Sequence, residues 1–89
     1  MIPGRSIEVT ADAQVVTGPG RIGAVVLTPA AAVATLILYD NTSAAGTKLI
    51  TLQAAANGGS VVFLTPFVFS TGVYADIGGS GAVAYVILA

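Results

Sequence analysis

Apolar and polar positions alternate with period two through most of this chain, and the alternation is sharpest over residues 33–53. Val33, Thr35, Ile37 and Tyr39 fall on one face of an extended segment, and Ala34, Leu36 and Leu38 fall on the other. β-Branched and aromatic side chains on this spacing favour a pleated strand over a helix. Asp40, Asn41, Thr42 and Ser43 follow, and their short polar side chains bond to nearby backbone, which favours turning. For Asp40 this predicts an Asx turn. Gly46 can supply a positive φ before the chain resumes. Thr47, Leu49, Thr51 and Gln53 then alternate with Lys48, Ile50 and Leu52. The pattern predicts a β-hairpin with a loop of about six residues, against which the other strands are laid.

The same reading extends in both directions. Residues 1–6 form a short extended arm, with Pro3 and Gly4 opposing a helix start, and residues 7–89 form one domain. Ile7 and Val9 alternate with Glu8, Thr10 and Asp12, giving one buried and one polar face. Residues 13–17 continue this strand or pair with it. Gly18, Pro19 and Gly20 make a turn. Residues 21–28 form a strand that is apolar on both faces at its middle and ends at Pro29. A further strand begins at Ser60, with Val61, Phe63 and Thr65 opposite Val62 and Leu64. Pro66 interrupts it, as a proline does at a sheet edge or bend. This predicts that residues 67–70 turn a corner onto an opposite sheet. Val73, Ala75 and Ile77 alternate with Tyr74 and Asp76. After Gly78, Gly79, Ser80 and Gly81, Val83, Tyr85 and Ile87 oppose Ala84, Val86 and Leu88. Residues 73–88 therefore look like a second hairpin. The fold class expected is all-β: a small antiparallel β-sandwich or jelly-roll-like barrel of about seven or eight short strands, with no ordinary helix.

Composition changes this picture in one respect. The chain has 89 residues, 55% hydrophobic and only 8% charged, where about 25% charged is usual. A domain of this size buries about two thirds of its unfolded surface, so its core cannot hold all of these side chains. The surplus must face another subunit, a partner protein or a membrane. Residues 22–39 carry no charge over eighteen positions, which is long enough for a spanning helix. Against that stand Pro29 after Thr28, which breaks a helix, and the strand-like alternation of Val and Thr. The start has no continuous apolar stretch before Glu8 and Asp12, so it does not read as a signal peptide. Net charge is −1, with Arg5, Arg21 and Lys48 scattered, so no basic patch exists to track nucleic-acid phosphates.

The side-chain chemistry for catalysis is sparse. There is no His and no Cys. The acids Glu8, Asp12, Asp40 and Asp76 are far apart in sequence. A working carboxylate pair would need two of them brought within about 5–10 Å of each other. Glu8 and Asp12 read as a solvated edge, and Asp76 as a surface or interface strand residue. Asp40 and Asp76 could together hold calcium with loop carbonyls, but no metal site and no cofactor are expected. The glycine turns lead into no helix bearing Lys and Ser or Thr, so they are not phosphate loops. Ser and Thr are many, but no base is present to activate them. No catalytic residues are therefore assigned and the chain is read as non-enzymatic. Phe63 and Phe67 read as core, while the hydroxyls of Tyr74 and Tyr85 suit the rim of an interface.

The stretches Leu-Tyr-Asp-Asn-Thr-Ser-Ala-Ala-Gly-Thr (38–47), Thr-Gly-Val-Tyr-Ala (71–75) and Gly-Ala-Val-Ala-Tyr-Val-Ile-Leu (81–88) resemble small β-proteins of tailed bacteriophages, notably the cement or decoration proteins on the outside of the head. The resemblance covers most of the chain beyond about Ile22 and leaves out the first twenty residues. It implies a non-enzymatic virion protein that stabilises the head lattice as an oligomer, a trimer above all, with the major capsid protein as partner. It implies a location on the virion, after assembly in the host cytoplasm. The candidate oligomer or capsid interface is Ile2, Pro3, Arg5, Tyr39, Phe67, Tyr74 and Tyr85, with the arm adding to a neighbouring subunit as an extra strand. The alternatives are a phage fibre, spike or tail component and a small ligand- or glycan-binding β-module.

Overall fold

The computed structural model describes residues 5–64 and 66–89, and these contain nine strands and no helix. The strands are β1 (Ser6–Val9), β2 (Ala13–Thr17), β3 (Gly20–Thr28), β4 (Ala34–Tyr39), β5 (Lys48–Ala54), β6 (Val61–Phe63), β7 (Phe67–Phe69), β8 (Gly72–Gly78) and β9 (Val83–Leu88). They form two antiparallel sheets. Sheet A runs β1-β9-β3-β6, with β7 also on β3, and sheet B runs β2-β8-β4-β5.

β6 and β7 are one interrupted strand. β6 pairs Val61 with Leu27 and Phe63 with Val25, and β7 continues along the same partner with Phe67 on Ile22 and Phe69 on Gly20. The chain gains one residue against β3 between the two segments, at the step containing Pro66. Counted as one strand, the pair leaves eight strands in two four-stranded sheets. Every connection crosses between the sheets except the β4–β5 hairpin. That is the strand order of a jelly roll, in which two Greek keys fold over one another.

Four expectations from the sequence are corrected by this order. β8 and β9 are not a hairpin: β8 lies in sheet B between β2 and β4, and β9 lies in sheet A between β1 and β3. Residues 67–70 do not turn onto the opposite sheet either, because β7 stays on β3 and the crossing follows at Ser70 and Thr71. β2 neither continues nor pairs with β1; it starts the second sheet. The predicted β4–β5 hairpin is present with the predicted faces, but β5 is an edge strand, so the hairpin closes one side of sheet B and does not lie at the centre.

The core lies between the sheets. Val25, Leu27, Val86 and Ile22 from sheet A meet Leu36, Leu38, Val73 and Ala75 from sheet B, all fully buried. No polar or charged residue is buried among the described residues, so no desolvated polar group weakens this core. Phe69 is buried, and Phe63 and Phe67 pack edge-to-face at 5.8 Å against the core margin. Residues 22–39 form β3 and β4 in different sheets, and among the described residues no helix is long and apolar enough to cross a membrane.

Candidate interaction face

The two sheets present outer surfaces of different character. On sheet A the residues between the buried ones point outward. Register places Glu8, Tyr85, Val26 and Val62 in one row across β1, β9, β3 and β6. Ser6, Ile87 and Ala24 form the next row. Leu64 and Val68 continue the outward positions along the interrupted strand, both 70% exposed, with Val62 at 52% and Tyr85 at 36%. These are four of the five large apolar side chains left exposed among the described residues; the fifth is Val33, just before β4.

Sheet B is mixed on its outer side. Its outward positions include Thr35 beside Gln53, Asp76 beside Ile37 and Thr51, and Gln14 beside Tyr74. A sheet with a polar face in water and an apolar face on the core is ordinary. A second apolar face, turned away from the core, is the unusual feature of sheet A.

Two pairs of polar groups on the sheet A surface are matched to each other. The Tyr85 hydroxyl donates to Glu8 Oε2 at 2.9 Å, and the Thr28 and Ser60 hydroxyls meet at 2.8 Å at the margin. The Glu8 carboxylate accepts this hydrogen bond and its negative charge lies close by, so the Tyr85 phenol is pushed above its ordinary value of 10.0.

The candidate residues read from sequence are scattered by the fold. Tyr39 and Tyr74 are register partners on sheet B, and Tyr39 is buried. Phe67 faces the core. Tyr85 alone of the aromatics lies on the apolar face of sheet A. Arg5 is exposed, and its carbonyl accepts the Leu88 N–H at 2.8 Å, so Arg5 and Ser6 already belong to the sheet. Ile2 and Pro3 lie outside the described residues. Sequence reasoning missed Val62, Leu64 and Val68. The available signal was that Val61 to Leu64 is apolar at both parities, so one of the two faces had to remain outside the core.

Three of the four acids are engaged within the fold. Glu8 takes the Tyr85 hydroxyl, Asp12 takes the Ile77 N–H at 2.8 Å, and Asp40 takes the N–H groups of Ser70, Thr71 and Gly72. The Ser70 N–H is the foremost influence holding the Asp40 carboxyl below its ordinary value of 3.8, followed by that of Thr71. Asp40 is thus a long-range loop clamp and not the Asx turn expected; Asn41 organises its own loop instead, accepting from the Thr42 N–H and donating to the Ala45 carbonyl. No group of three potential metal ligands occurs among the described residues. Comparison with protein-family models, with curated proteins and with solved structures gave no match.

Proposed function

We propose that the chain is a non-enzymatic structural subunit of a phage virion, a cement or decoration protein that binds the outside of the head as an oligomer. The observation that carries the reading is the apolar outer face of sheet A, a surface suited to covering by protein rather than to turnover of a small substrate. The resemblance of residues 38–47, 71–75 and 81–88 to small phage β-proteins supplies the virion context. The jelly-roll order supports it as analogy, since this architecture serves viral capsid domains but also lectins and cupins. In this role the protein needs no active site. A subunit that binds the assembled lattice and not its dissociated parts stabilises the lattice by mass action.

The experiment is quantitative mass spectrometry of purified particles, with the major capsid protein as internal reference. A copy number near one per capsid subunit is expected. A handful of copies would move the protein to a fibre, spike or tail part, and its absence from particles would overturn the virion reading.

A further inference from the structure

We infer that the outer face of sheet A is an interface between copies of this chain, laid face to face and not edge to edge. The inference rests on the reading of the chain as an assembling structural subunit, and adds which surface assembles it.

Four observations converge on a second copy as the occupant. The first is area: the molecule measures 34 × 25 × 17 Å along its principal axes, so its broad side projects to about 850 Å², room for the roughly 800 Å² per partner of a stable protein interface. The second is charge. A face that meets its own copy doubles any net charge it carries. Glu8 and Arg21, which alternate with buried Val9 and Ile22, place one charge of each sign on this side. A membrane surface would call for a cluster of basic residues, whereas among the described residues this side offers Arg21 alone, with Arg5 at the β1 edge. The third is the state of the polar groups. Tyr85 with Glu8 and Thr28 with Ser60 are already hydrogen-bonded within the face, so these pairs can be covered without being left unsatisfied. A glycan-binding surface would instead offer unspent donors and acceptors. The fourth is the edge. β1 has only four residues, and the opposite edge is broken at Pro66 with an extra residue against β3. Short and broken edges resist strand addition, so on sheet A the face and not the edge is the route of association.

The test is sedimentation velocity of the full chain over concentrations from about 0.1 to about 100 μM, the range in which mass action reveals such contacts. The wild-type chain should sediment as a multiple of its own mass in the micromolar range. Leu64→Asp and Val68→Glu, both at exposed positions, should keep the strand spectrum in circular dichroism and weaken association at least about tenfold. Thr51→Glu and Gln53→Glu add the same charge to the outer side of sheet B and should leave the mass unchanged. A wild-type monomer throughout the range overturns the inference without any variant. So does dissociation by the sheet B pair with none by the sheet A pair. A monomeric protein still abundant in particles would sink the self-interface and spare the virion reading; a self-associating protein absent from particles would do the reverse.

Discussion

Asp40 Oδ1 accepts the backbone N–H of Thr71 at 2.7 Å, across thirty-one residues of sequence and between two loops at one end of the sandwich. The same carboxylate takes the Ser70 N–H at 3.0 Å, the Ser70 hydroxyl at 3.1 Å and the Gly72 N–H at 3.3 Å. Thr71 in turn offers its carbonyl to the Gly18 N–H at 2.9 Å. One acid therefore ties the β4–β5 loop to the crossing from sheet A to sheet B, and the β2–β3 turn joins them through Thr71.

Asp40→Asn should destabilise the fold by about 1–2 kcal/mol, the low part of the range for charged hydrogen bonds because the carboxylate remains partly in water. The pH dependence has a fixed sign. The folded state holds the Asp40 carboxyl below its ordinary value, so its contribution is complete above that value and is lost as pH falls through the folded one. Thermal midpoints measured from neutral pH into strong acid should fall below the usual carboxylate range, and less steeply in Asp40→Asn. An unchanged acid limb in the variant would show that the clamp does not contribute.

What was legible in the sequence follows the range of the interactions. The β4–β5 hairpin was legible because its faces and its loop are set by neighbouring residues; Gly46 has the positive φ (85°) expected of it. β8 and β9 were misread as a hairpin because Gly78 to Gly81 looks locally like a turn. Whether that turn pairs two strands or carries the chain to the other sheet depends on β8 finding β4 and β9 finding β3, pairings 35 to 66 residues apart. Asp40 failed for the same reason, since its partners lie thirty residues on. The outer face of sheet A was half legible: composition demanded a second apolar surface, but alternation between two apolar faces does not say which is outermost.

Glu8→Gln should bring one tyrosine back toward ordinary titration. In the wild type the Tyr85 phenol is raised because ionisation would break its hydrogen bond to Glu8 and bring two negative charges together. Ultraviolet titration of tyrosinate should therefore show a late-ionising group that disappears in Glu8→Gln and in Tyr85→Phe. Any stability this pair provides is present below the unfolded phenol value and lost as pH rises through the folded one. Superimposable titrations of wild type and Glu8→Gln would contradict the pairing.

Gly79→Ala should cost about 1–3 kcal/mol, the usual strain at a conformation that L side chains avoid. Gly79 has φ of 102°, and a Cβ there would run into the Val33 carbonyl oxygen, which is backbone and cannot swing aside. Denaturant unfolding should register the loss as a lower midpoint. Gly59→Ala is the control, since a Cβ at that position meets nothing within 4 Å and φ is not in the left-handed region.

Leu36 and Leu64 are the same residue on opposite sides of the argument. Leu36 is fully buried between the sheets, whereas Leu64 is 70% exposed on the outside of sheet A. Leu36→Ala removes packed methyl groups and leaves a cavity, so unfolding should become easier by about 2–5 kcal/mol at every protein concentration. Leu64→Ala opens no cavity within one chain. Its effect should appear only where copies associate, as a thermal midpoint that falls below wild type at high concentration and converges with it on dilution. Concentration series of both variants by calorimetry separate the two roles. A constant deficit for Leu64→Ala, independent of concentration, would place Leu64 in the core of a single chain and remove the reason for its exposure.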